Sequence, residues 1–153
     1  MFEIDVTDSA VKATGNLVSR LQDLSAPLGE SGALLERKAV IRFVKQQDPG
    51  GKPWAPLRPE TLAKKKTGFT YRNKQRVIIP SKFRGTILRE TGSLAASIAF
   101  AVSGNEVRVK PSVDYGIFGQ LGTRKQAARP FMGFEADDAA QIGQIFRDHL
   151  EGR

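Results

Sequence analysis

The stretch from Asp48 to Arg89 constrains this chain more than any other. Its rigid point is Pro53-Trp54-Ala55-Pro56-Leu57, and it holds the only tryptophan and five of the eight prolines. From Lys52 to Arg89 it carries 11 of the 24 Lys/Arg residues against a single acid, Glu60. That segment has a net charge of +10 within a chain of +8, so all the other residues together stand at −2. The basic character belongs to one segment. A short helix can hold 60–66 after Pro59, but from Thr67 to Thr86 no period is sustained. Arg76-Val77-Ile78-Ile79-Pro80 predicts a strand, one half of a loose hairpin. So long a stretch with so little pattern is unusual inside a compact domain and tends to be functional. Fully extended, about 20 residues reach on the order of 65 Å, beyond the body of a domain this size. The segment reads as an arm that finds its partners on other subunits.

The flanks are ordinary. Asp8 or Ser9 caps a helix whose stripe Val11, Thr14, Leu17, Val18, Leu21 and Leu24 reads as a core face. Ser25-Ala26-Pro27 is expected to break it. A second helix then runs from about Glu30 to Gln47, stopped by Asp48-Pro49-Gly50-Gly51, and the two suggest a helical hairpin. Beyond Leu94 the pattern alternates: Ile98, Phe100 and Val102 face Val107 and Val109 across Ser103-Gly104-Asn105-Glu106, a hairpin signal. Tyr115 to Gly122 reads as a tight turn on a sheet, and Arg129 to Phe134 as a last strand or bend. Glu135, Asp137 and Asp138 open a C-terminal helix where the dipole favours acids. Ala139, Ile142, Ile145, Phe146, His149 and Leu150 form its inner face.

Little of this is chemistry of the catalytic kind. Cysteine is absent and histidine occurs once, at His149 on an apolar face, so neither a metal set nor a base with a nucleophile can be assembled around them. Asp48-Pro49-Gly50-Gly51-Lys52 follows a helix and lacks Walker spacing, so it reads as a helix stop. No apolar run approaches a membrane span, and the acidic N-terminus is not that of a secretory signal. No enzyme activity, no cofactor, no metal and no membrane contact are expected. The candidate residues lie in the arm: Lys64, Lys65, Lys66, Arg72, Lys74, Arg76, Lys82 and Arg84, interleaved with Phe69, Tyr71 and Phe83. Such a mixture neutralises phosphates and stacks on bases, or meets an acidic protein face. Trp54, with Pro56 and Leu57, reads as an anchor for a neighbour's pocket; a tryptophan tucked under its own helical hairpin is the alternative.

Several motifs, taken in order, resemble the phage virion morphogenesis family, the Mu-like and P2-like tail completion proteins. They are Phe43 followed by 48–57, Thr61-Leu62 with Lys64 to Lys66, and Ile87-Leu88-Arg89-Glu90-Thr91-Gly92-Ser93-Leu94. After these come Tyr115-Gly116-Ile117-Phe118-Gly119-Gln120-Leu121-Gly122 and Ala128-Arg129-Pro130-Phe131-Met132-Gly133. The chain departs from the family where a His-Gln-Phe-Gly run is usual: it has Gly119-Gln120-Leu121-Gly122, so a role for that histidine does not carry over. The resemblance implies a structural protein similar to tail-terminator and neck proteins, assembled as a ring at the head-proximal end of the tail. It also implies structural turns at Gly92, Tyr115, Gly122, Arg129 and Pro130.

Residues and resemblance together predict one α+β domain over 1–153. A helical hairpin (8–47) and a C-terminal helix (135–151) pack on a small, mostly antiparallel sheet (94–134), with a Trp/Pro turn and a long extended basic loop (48–89). The expected partners are further copies in a ring, taken as a hexamer, and neighbouring tail and head-connector proteins, in the virion neck after assembly in the host cytoplasm. Residues 135–153, at −3, offer acids for the arm of a neighbouring copy. Transient contact of the arm with genomic DNA, or a nucleic-acid-binding module outright, is the alternative.

Overall fold

The computed structural model describes residues 8–153, leaving aside the side chains of residues 8–10, Thr70 and Tyr71. Its first two helices, α1 (Asp8–Gln22) and α2 (Ser25–Lys45), are separated by only two residues. Ser25-Ala26-Pro27 starts α2 instead of breaking α1. Asp23 Oδ1 accepts from the Ser25 amide at 3.0 Å and its hydroxyl at 2.6 Å, and a proline in a first turn has no intrahelical N–H to lose. The main neighbour of α1 is the C-terminal helix α6 (Asp138–Glu151) and not α2. Arg20 donates to the Leu150 carbonyl at 2.9 Å, and the His149 ring sits 3.1 Å from the Arg20 carbonyl and 3.0 Å from that of Asp23. These contacts gather at one end of α1. Its apolar stripe is left uncovered, with Val11 58% and Leu21 53% exposed, so the expected core face is a surface within the subunit.

The second helix carries the fold. Gln46 ends it in the left-handed conformation, and its side-chain oxygen accepts from the Ile87 amide at 2.9 Å. On one side α2 receives the hairpin of β3 (Ile98–Ser103) and β4 (Glu106–Pro111), antiparallel, with Ser103 opposite Glu106 and Gly104 at a φ of +58° leading the turn. Gly32 lets the Phe100 ring approach: a Cβ there would lie 2.5 Å from it. Further along the same face of α2, Ala39 and Phe43 meet Trp54, Ile87, Leu94, Ala95, Ile98 and Phe131 in the core.

The β3–β4 hairpin is the small antiparallel sheet expected after Leu94, and the described strands include a second two-stranded sheet earlier in the chain. One correction concerns the segment after β4. Residues 115–134 add no strand: they hold the short helix α5 (Gly116–Leu121) and an irregular return. Gln120 stitches that return in place, accepting from the amides of Phe131 and Met132 at 3.0 Å each and donating to the Met132 carbonyl at 2.9 Å.

Candidate functional site

The basic segment begins on α3 (Pro59–Lys66), where Lys64, Lys65 and Lys66 part company. Adjacent helical residues point about 100° apart, so three lysines in a row cannot share a face. Lys64 and Lys66 are exposed, whereas Lys65 is buried and donates to the carbonyls of Thr86 at 2.5 Å and Arg89 at 3.1 Å. Burial pushes its ammonium below the ordinary lysine range, offset in part by Glu90. Lys65 therefore faces inward and does not share the exposed surface of Lys64 and Lys66.

The arm is paired. β1 (Phe69–Arg72) and β2 (Gln75–Ile78) run antiparallel, Phe69 opposite Ile78 and Arg72 opposite Gln75, joined by Asn73-Lys74. Both turn residues have positive φ, +50° and +65°, as the tightest right-twisted hairpins require. The base is closed by the Ile79 amide on the Gly68 carbonyl at 2.9 Å, with Ile79 fully buried and Phe83 nearly so. A 3₁₀ turn over Ser81–Phe83 completes the return. Thus Phe83 is structural. Its ring lies under the Arg89 guanidinium at 4.4 Å, and Gly92, at a φ of +86°, leaves room for it, since a Cβ at 92 would meet the ring at 2.9 Å.

What faces solvent is a ribbon of cations. Arg72 spans 3.7 Å to Glu90 and lies over the Tyr115 ring, and Arg76 stacks on Phe69 at 4.3 Å. Among the described residues Lys64, Lys66, Lys74, Arg76, Lys82 and Arg84 have no carboxylate partner. The Tyr71 side chain, expected among the stacking aromatics, lies outside the described residues.

Trp54 is not available as an anchor for another molecule. It is 5% exposed, edge-on to Phe43 at 5.5 Å between ring centres, and its Nε1 donates to the Pro130 carbonyl at 2.8 Å. This is the tucked-under arrangement, favoured because the indole buries a large apolar area and satisfies its one donor. Pro56 is exposed and Leu57 half-buried against the core. Arg129, also buried, holds the same loop from the far side, Nε to the Ala55 carbonyl at 2.9 Å and Nη2 to that of Pro56 at 3.1 Å. Pro130 thus serves through its carbonyl. Gly122, at a φ of +76°, is held where a Cβ would sit 2.6 Å from the Ala128 nitrogen. Tyr115, just ahead of α5, is 40% exposed.

The acids before α6 are already engaged. Lys38 reaches Glu135 at 3.1 Å, Asp137 at 3.2 Å and Asp138 at 2.5 Å, and Arg42 reaches Glu135 at 3.0 Å and donates to the Phe131 carbonyl at 2.8 Å. Burial alone would depress the Lys38 ammonium, but hydrogen bonds to Asp138, Glu135 and Asp137 outweigh it and hold the group above its ordinary range. Asp138 is fully buried, its other oxygen accepting from the Glu135 amide at 2.6 Å. These three carboxylates lie close enough together to ligate an ion, yet the Lys38 ammonium already sits among them as their counter-charge. Of the remaining acids of 135–153, Asp148 accepts from Gln144 and Glu151 pairs with Arg153. Among the described residues Asp148 thus has only the neutral Gln144 amide, whereas Glu135, Asp137 and Asp138 have their cations within the subunit. Lys38 and Arg42 were not legible as their partners, because 93 or more residues separate them in the chain.

The sequence profile described as the phage virion morphogenesis family matches residues 5–151 of the chain. No curated protein and no solved structure matches significantly.

Proposed function

Since this chain belongs to the phage virion morphogenesis family, with a role in building the phage particle, we propose that it completes the tail and joins it to the head as a ring at the neck. The observation that carries this reading is the apolar surface left open by a subunit whose interior is otherwise closed. Val11, Leu17, Val18 and Leu21 on α1 are 42–58% exposed, and Ile117 and Leu121 on α5 are 55% and 70% exposed. Apolar groups clustered on two helices of one small subunit are costly in water and mark contact surfaces. In a ring each copy presents one patch to a different patch of the next, which suits a subunit with two such faces. The hairpin arm, cationic and standing on a closed base, supplies a third surface. Its targets are acidic surfaces of neighbouring virion proteins, because the acids leading into α6 are already paired with Lys38 and Arg42. The reading is that of a structural part, not an enzyme. Six copies are the ring number proposed.

Mass photometry of the purified chain, with negative-stain microscopy, tests the ring. Leu17→Glu with Leu21→Glu should abolish closed rings while the circular dichroism of the subunit is kept. A wild-type chain that stays monomeric at high concentration, in a phage whose necks form normally with the double variant, would refute the assembly reading. The unpaired cations of the arm favour a second reading, a nucleic-acid-binding module. Duplex titration at rising salt separates the two, since tracking a phosphate backbone produces tight binding with a steep salt slope. Lys65 must be left alone in such experiments, and reversal of Lys64, Lys66, Lys74 and Arg76 probes the arm without opening the interior.

A further inference from the structure

Between α3, the segment 88–94 and α5 lies a cleft of about 710 Å³. Its floor holds two buried cations, Lys65 and Arg129, each 6% exposed, and each is bonded to backbone carbonyls only. Carbonyl dipoles satisfy several of their N–H groups but supply no counter-charge, and the one carboxylate nearby, Glu90, is shared with Arg72, so the two buried cations are compensated only in part. Around the mouth stand Arg58, Arg124 and Lys125, so that with Arg72 six cations line the cleft against one carboxylate, Glu90, itself 3.7 Å from Arg72. Between floor and mouth the wall is apolar, with Phe118 55% exposed and Tyr115 40% exposed.

We propose that this cleft is a docking site for an acidic peptide segment carrying an apolar side chain: its carboxylates meet the cations of floor and mouth, and the apolar group packs on Phe118. The alternation of wall and charge selects that occupant. A phosphate backbone would satisfy the cations but leave the Phe118 wall wet. An apolar peptide would meet buried charge that is compensated only in part. Only a chain bearing both kinds of group answers both surfaces. The site lies in a single subunit and goes beyond the ring reading, so either can fail without the other.

The test uses the intact chain and a fluorescein-labelled peptide of aspartates and glutamates with one central phenylalanine, followed by anisotropy. Saturable binding is expected. It should weaken about tenfold or more when Arg124 and Lys125, both on the exposed 123–127 loop, are changed to glutamate, a cost of about 1.4 kcal/mol or more in binding. Phe118→Ala should weaken it severalfold, and a control peptide with serine in place of the phenylalanine should bind correspondingly less. Binding that Arg124→Glu/Lys125→Glu leaves unchanged would overturn the proposal, as would absence of saturation. So would preferential capture of a labelled short duplex that is lost in the same variants, which would give the cleft to nucleic acid. Circular dichroism of each variant excludes unfolding as the cause.

Discussion

Replacing Trp54 with alanine separates an interior tryptophan from an interface anchor. The indole of Trp54 is 5% exposed and packs edge-on to Phe43. A buried tryptophan removes on the order of 200 Å² from water, which at about 25 cal/mol per Å² is about 5 kcal/mol, part of it retained by the alanine. The Pro130 carbonyl also loses its donor, at a cost of about 1 kcal/mol. Incomplete collapse of the cavity brings the expected loss to about 3–5 kcal/mol, a large fraction of the ~5–15 kcal/mol that holds a domain together. For a chain of this length that corresponds to a fall in Tm of roughly 6–20 °C, using about 2–4 °C per kcal/mol. Urea unfolding followed by far-ultraviolet circular dichroism measures it without the lost fluorophore. Trp54→Phe keeps most of the ring and loses the hydrogen bond, and should cost about 1–2 kcal/mol. A loss below about 1 kcal/mol for Trp54→Ala, the range of ordinary surface substitutions, would refute the placement of this side chain in the core.

Three further outcomes follow from the same contacts. Lys38→Met removes the cation facing fully buried Asp138 and should destabilise by about 3–5 kcal/mol, with Lys38→Met/Asp138→Asn regaining part of it in the same urea assay. Lys38 and Arg42 hold the Glu135 carboxyl below its ordinary value, first through the Lys38 hydrogen bond, so its contribution is complete above the ordinary carboxylate range near ~4.3 and is lost as pH falls through the depressed value. Melting temperature against pH should therefore drop on the acid side more steeply in wild type than in Glu135→Gln; parallel profiles would contradict this. Lys74→Gly relieves a left-handed non-glycine residue at the arm tip and should stabilise that hairpin by about 0.5–1 kcal/mol, seen as slower amide exchange across β1 and β2 with no change elsewhere.

Much of the local structure is legible in the residues. The helical spacing of α2, the glycine-led turn of β3 and β4, the acids opening α6 and the concentration of cations between 52 and 89 each follow from short-range rules, because periodicity and turn chemistry act within a few residues. The strand over 76–80 is visible too, though its partner is not: Phe69 to Arg72, only four residues long, is too short for its alternation to stand out and pairs because Asn73-Lys74 turns the chain.

What covers each face was decided only by the tertiary structure. A stripe such as Val11, Leu17, Val18 and Leu21 says that one side of a helix is apolar and nothing of what lies against it, and here α6 meets α1 near its end alone. Trp54 could have pointed either way until Phe43, Pro130 and Phe131 were assembled around it. Lys65 is separated from its neighbours by helix geometry plus the carbonyls of Thr86 and Arg89, and Glu135 and Asp138 find their cations on a helix 93 or more residues earlier. Burial and ion pairing depend on contacts distant in the chain, and no pattern read along it contains them.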